Sequence, residues 1–308
     1  MTMTIETSLK PPRKKLFSGE TPMGRFLSEF VESKVAVVAA LLLFTIIMAA
    51  LFAPWITPQN PYDLAQVSVL DARMEPGAES FDGYTFWLGT DGAGRDLFSA
   101  ILYGLRISLS VGVTSGIIAL IIGMSVGLIA AYAGGRTETF IMRIVDLQLS
   151  FPASLVALML LALLGKGVDK IILALVVAQW AYYARTVRGT ALVERGKEYV
   201  EAVTCLGLSH ARVLFLHIMP NCLPPLIVVG TVQTAHAIAL EATLSFLGVG
   251  LPQTEPSLGL LIANGFEYVI SGKYWISFFP GIALLVTVVS INLVGDQLRD
   301  VLNPRLRK

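Results

Sequence analysis

Apolar residues gather along this chain in six blocks, at about 35–53, 108–133, 149–164, 171–183, 223–248 and 275–294. A helix that crosses a bilayer needs about 20 apolar residues, so each block reads as a span, the fourth borrowing from its flanks. The third contains Pro152. The first resembles a secretory leader only superficially. Thirty-four residues precede it, its apolar run exceeds a leader's, and no small-x-small cleavage site follows, so it reads as a retained anchor. The expected fold is an all-α membrane protein with six transmembrane helices.

Basic residues set the orientation, because they are retained on the cytoplasmic side. With the N-terminus inside, seventeen of the 23 Lys and Arg fall on cytoplasmic segments and six outside. Both termini are therefore expected in the cytoplasm. The expected layout is a cytoplasmic arm at 1–34, an anchor at 35–53 and an extracytoplasmic loop at 54–107. A five-helix core at 108–298 follows, with a cytoplasmic loop at 184–222, and then a cytoplasmic tail at 299–308. The arm, with Pro11, Pro12 and a Lys/Arg cluster, reads as a flexible segment whose charges fix topology. The outer loop is acidic, with seven Asp/Glu against three Arg. It reads as a docking surface or as a folded plug, with docking favoured. The semi-apolar run 258–270 reads equally as a re-entrant helix or as an amphipathic loop helix.

Composition narrows the function. Charged residues make up 15% of the chain and apolar residues 55%, against about 25% charged in a soluble domain. A net charge of +1 excludes a nucleic-acid binder driven by bulk basicity. Two cysteines exclude a disulfide scaffold. No phosphate loop is present, since Gly165-Lys166-Gly167 lacks the earlier glycine and the following hydroxyl. His210, His217 and His236 have no metal-site spacing. The chain is therefore not expected to hydrolyse ATP itself or to be an intramembrane enzyme, and no cofactor or metal is expected.

One charge falls within a span, Glu241. Such a group costs about 2.5–3.5 kcal/mol on insertion scales and should face protein or water. It is either a pathway or gate residue or a carboxylate satisfied by backbone amides near the glycines at 248 and 250. Gly112-x-x-x-Gly116 and Gly123-x-x-x-Gly127 in the second span let helix backbones approach closely. Packing within the subunit is the favoured use, and a subunit interface is the alternative.

The cytoplasmic loop carries the sharpest signal. Glu198-Tyr-Val-Glu-Ala-Val-Thr-Cys-Leu-Gly207 reads as a helix closed by a glycine elbow. Ser209 is placed to cap a second helix, which Pro220 is expected to end. That helix is apolar on one side (Val213, Leu214, Phe215, Ile218) yet lies outside the bilayer, so it calls for a groove on a partner.

This loop resembles the signature of ABC importer permeases: Glu-Ala-Ala, three residues, Gly, nine residues, Ile-x-Leu-Pro. Glu201, Ala202, Gly207 and Pro220 match in register, while Val203, His217 and Met219 depart. More narrowly, the chain resembles the dipeptide/oligopeptide/nickel permease family, on the side of the subunit with an extra N-terminal span. Four further runs carry this: Leu88-Gly-Thr-Asp-Gly-Ala-Gly-Arg-Asp96 with Ser99, Gly104, Arg106 and Ser108; Arg143 to Asp146 with Phe151-Pro152; Glu241 to Gly250 with Pro256-Ser257; and Gly295-Asp296, Arg299-Asp300 and Pro304-Arg305-Leu306. Ala100, Leu258 and Asn303 depart from the pattern, and Leu258 is expected to bear on substrate or binding-protein contact.

The resemblance implies a type I importer fold in a bacterial inner membrane. It implies a second homologous permease subunit, two ATP-binding subunits and an extracytoplasmic substrate-binding protein as partners, with no nucleic acid. It makes Glu201 to Gly207 the helix that couples to the ATPase. Peptides are the first substrate reading; nickel, opines, small glycosides and glutathione-like peptides stay open. The rivals are a proton-coupled secondary transporter using Glu241, which would call for paired intramembrane charges and inverted repeats, and a membrane scaffold without transport.

Overall fold

A computed structural model describes residues 22–302 other than 64, 81, 82, 253 and 256. The cluster Lys10 to Lys15, Asn303 and the terminal Pro304-Arg305-Leu306 lie outside these residues, as does Pro256.

The described residues begin with an amphipathic helix, α1 (Pro22–Glu32), whose Phe26 and Phe30 rings stack one turn apart. Ser33 caps the next helix, α2 (Lys34–Leu51), and accepts a hydrogen bond from the Ala36 amide. A short turn, α3 (Ala53–Ile56), follows, and then a folded module containing a two-stranded antiparallel ribbon, β1 (Ala78–Glu79) with β2 (Thr85–Phe86).

Asp96 caps α4 (Leu97–Ala133), 37 residues long, through the Ser99 amide. Gly134, at φ +66°, ends it. Next come α5 (Gly135–Leu149) and α6 (Ala153–Leu164), bent by 85° at the break between them. The bend corrects the expected third span, because Leu149 closes α5 instead of opening the next helix. A proline disfavours the α region for the residue before it, and Pro152 serves as the N-cap of α6.

Helix α7 (Val168–Arg195) leads to α8 (Glu198–Cys205) and α9 (His210–Arg212). A π-helical turn, Val213–Ile218, joins α9 to α10 (Met219–Phe246). Helices α11 (Leu258–Phe266) and α12 (Trp275–Leu302) complete the fold.

Among the described residues, four helices are long and apolar enough to span a membrane: α2, α4, the continuous run His210–Phe246, and α12. The bent pair α5–α6 makes a fifth if it is one span. The apolar stretch of α7 is cut short by Arg185 and Arg188, so α7 falls outside this set.

Glycine decides how closely these helices meet. A Cβ on Gly123 would lie 2.4 Å from the Trp180 carbonyl oxygen, and one on Gly127 2.5 Å from that of Ala184. A Cβ on Gly112 would meet Ile238 at 2.5 Å. The two small-residue motifs therefore press α4 against α7 and α10 inside the subunit, which was the favoured use. The run from 258 packs one face of its helix into the subunit. Leu258, Gly259, Leu260 and Leu261 are buried, with α11 packed on α10, α12 and α4. Leu258 itself is fully enclosed, which corrects its assignment to an outer contact surface.

Candidate functional site

The loop 184–222 is built as a seat and an open face. Val200 is buried, and Tyr199, Val203 and Leu208 are half-buried, in one apolar cluster with Leu128, Ala131, Val187, Val213 and Leu214. Polar contacts fix the same side. The Tyr199 hydroxyl donates to Glu194 Oε2 at 2.9 Å, and Asn221 Nδ2 donates to the Tyr199 oxygen at 3.1 Å and to the His217 carbonyl at 2.8 Å. Lys197 pairs with the other Glu194 oxygen at 2.5 Å. Burial, reinforced by the Glu194 carboxylate that the phenol serves, pushes Tyr199 up to about 12.

The opposite side of α8 is left open. Glu201, Ala202, Cys205, Leu206 and Gly207 are all exposed, Leu206 at 79%. Among the described residues, Glu201 enters no ion pair. Gly207 has φ +74°, as its elbow requires, and a Cβ there would meet nothing within 4 Å. Only its backbone conformation demands glycine.

Two expectations about this loop are corrected. Ser209 occupies the N-cap position of α9 without a side-chain cap bond. Pro220 does not end a helix: it sits at the start of α10, inside the continuous run His210–Phe246. A proline ring clashes with the carbonyl four residues back, and the wider π turn at Val213–Ile218 lies where that clash would fall. Glu201, Ala202 and Gly207 thus share one exposed surface, while Pro220 stands at the root of α10.

Glu241 lies in α10, fully enclosed. Its Oε2 accepts from the Ser108 hydroxyl at 2.9 Å and its Oε1 from Ser245 at 2.7 Å, and Ser257 also hydrogen-bonds it. Hydroxyls from α4, α10 and the N-cap of α11 converge on it, where the sequence suggested backbone amides as one solution. The carboxylate is a hub between helices. Its signal was present in sequence as three serines, but nothing local showed that they would meet.

The segment between α3 and α4 is folded, which was one of its two sequence readings, but its contacts were not foreseen. Gln59 Oε1 accepts from the Asp96 amide at 2.6 Å, while its Nε2 donates to the Gln66 carbonyl at 2.7 Å. Asp91 Oδ1 accepts from the Ala93 and Arg95 amides at 2.8 and 3.0 Å, and its Oδ2 from Arg95 Nε at 2.7 Å. Ser99 donates both its amide and its hydroxyl to Asp96 Oδ2. Burial pushes the Asp96 carboxyl up, against the pull of those Ser99 bonds. Asp71, Asp91 and Asp96 are buried, so three of the seven outer acids serve the module's own interior. A cavity of about 700 Å³ remains between the module and the α11 segment, lined by Tyr62, Arg95, Asn264, Glu267 and Tyr268 among others.

Residues 123–308 match the family described as the binding-protein-dependent transport system inner membrane component. The chain belongs to this family. Residues 21–76 match a second family, the N-terminal TM domain of oligopeptide transport permease C. This permease is 40% identical, over 94% of each chain, to a Brucella suis protein named for a peptide transport system permease. It is 36% identical to the oligopeptide transport system permease protein OppC of Bacillus subtilis, over 97% of this chain and 93% of the relative. Its fold resembles a chain of the MetNI methionine ABC transporter in inward-facing form, with a TM-score of 0.54 and 20% identity, over 66% of this chain and 96% of that one. The protein is therefore a permease subunit of an ABC importer, with the helical fold of that class.

Proposed function

We propose that this permease forms half of the translocation pathway of an ATP-driven peptide importer in a bacterial inner membrane, with both termini in the cytoplasm. A second homologous permease supplies the other half. Two ATP-binding subunits dock on the cytoplasmic face, and an extracytoplasmic substrate-binding protein delivers cargo. The coupling helix is α8, with Glu201, Ala202 and Gly207 on its docking side and Pro220 rooting the following span. The names of the relatives support peptides as cargo.

The observation that carries this reading is the open face of α8. A helix seated on one side by Val200 and Tyr199 exposes Leu206 on the other, and an apolar side chain so presented suits a groove on a partner.

The test is purification of the tagged chain in mild detergent with mass spectrometry of what accompanies it. Two phosphate-loop ATPases and a second permease are expected. Recovery of the chain alone from a preparation that still transports would overturn the reading. Gly207→Val is expected to abolish uptake at normal expression, because a β-branched residue resists positive φ; normal uptake would refute the role of the elbow.

A further inference from the structure

The proposed coupling helix is bracketed by two residues that grip the same side chain. Arg195, the last residue of α7, stands three positions before α8. Its Nη1 donates to the Ala131 carbonyl at 2.9 Å, and its guanidinium lies 5.7 Å from the Tyr132 ring centre. His210, the first residue of the 37-residue run to Phe246, stands just after the elbow. Its Nδ1 shares a 2.5 Å hydrogen bond with the Tyr132 hydroxyl, and the two rings meet edge to face at 5.5 Å. Tyr132 is the last residue but one of α4.

The ends of α4, α7 and the continuous run His210–Phe246 thus converge on one tyrosine. The half-buried Tyr132 ring also rests on the apolar cluster that seats α8. A load applied to α8 reaches α7 through Arg195 and the α10 run through His210, and both contacts deliver it to α4.

We propose that Tyr132, held by His210 and Arg195, is the positioning residue that makes α4 follow the coupling helix. This inference rests on the reading of α8 as that helix. A hydrogen bond in this place is suited to the task because it is directional, whereas apolar contacts alone permit sliding.

The experiment places spin labels on Glu198→Cys, at the exposed start of α8, and on Ser110→Cys, in the outer half of α4, in a Cys205→Ser background. The full transporter complex is measured with ADP and after vanadate trapping. One unchanged distance between the labels is expected with Tyr132 present. Tyr132→Phe and His210→Leu are each expected to add a second distance population in the trapped state. The double variant is expected to do no more than either alone, since the two residues share one interaction. His210→Asn, whose amide takes the place of Nδ1, should keep the single distance. A merely structural role would instead lower complex yield and leave the distances of surviving complexes unchanged.

Identical distances in Tyr132→Phe and the parent would overturn the inference, as would a parent distance that already shifts on trapping. The coupling reading fails separately: the label on α8 must lose mobility when the ATPase subunits are present. If it stays mobile, α8 is not the docking helix, whatever the distances report.

Discussion

The module between α3 and α4 and the loop 184–222 are both written as runs of charge and glycine, and they fold to opposite ends. In the former the motif residues turn inward. Asp91 and Asp96 are buried and hydrogen-bonded, and a Cβ on Gly94, at φ +85°, would lie 2.1 Å from the Ser68 carbonyl oxygen. In the loop 184–222 Glu201 and Gly207 are exposed, with open space around the glycine. One segment is complete within the chain, whereas the other keeps only its conformation and leaves its side chains for something else. A glycine at positive φ therefore carries two meanings, and the atoms around it tell them apart.

The sharpest way to break this comparison is to fill the two glycines. Gly94→Val meets both a backbone clash and a left-handed φ, so a loss above about 4 kcal/mol is expected. Rapid proteolysis between residues 54 and 96 would report it. Glycine 207 offers only the φ penalty, about 1–2 kcal/mol, so its valine variant should fold yet fail to transport. Equal proteolytic protection of the two variants would erase the distinction.

A second contrast lies in the bilayer. Glu241→Leu leaves the Ser108, Ser245 and Ser257 hydroxyls without their common acceptor. A loss of about 3 kcal/mol is expected from the unsatisfied buried groups, read as a lower melting temperature of the purified complex. Glu241→Gln keeps an acceptor and should recover most of it. Equal transport by Gln and Glu variants would also rule out a proton-carrying role.

Smaller effects sharpen the inner loop. Leu206→Asp should weaken ATPase co-purification about tenfold, the worth of part of one buried leucine, with the melting temperature of the isolated permease unchanged. The smallest effect belongs to Tyr199. Its pKa is raised in the fold, so its contribution is complete below pH 10 and lost as pH climbs toward 12. Tyr199→Phe should remove that alkaline step from a thermal-melt series.

Much of the fold was legible because apolar runs report bilayer depth directly. Helix α4 begins eleven residues earlier than its apolar block, at Leu97, because helices outrun the hydrocarbon once a capping residue such as Asp96 is available. The elbow at Gly207 was legible because its cause is local. The bend at Ser150–Pro152 and the path through Pro220 were not, since one proline starts a helix and the other is absorbed by a π turn. Least legible were contacts between distant residues, such as Gln59 with Asp96 and Tyr132 with His210.

The serine hub also constrains the order of manufacture. Ser108 precedes Glu241 by 133 residues, so at about 5–20 residues per second it leaves the ribosome roughly ten seconds sooner. Helix α4 is then made before the acidic segment arrives, and its hydroxyl can receive a carboxylate that hydrocarbon would repel. Ser257 emerges about a second later and closes the site from outside. Had the acidic residue been encoded first, insertion itself would have met a bare charge.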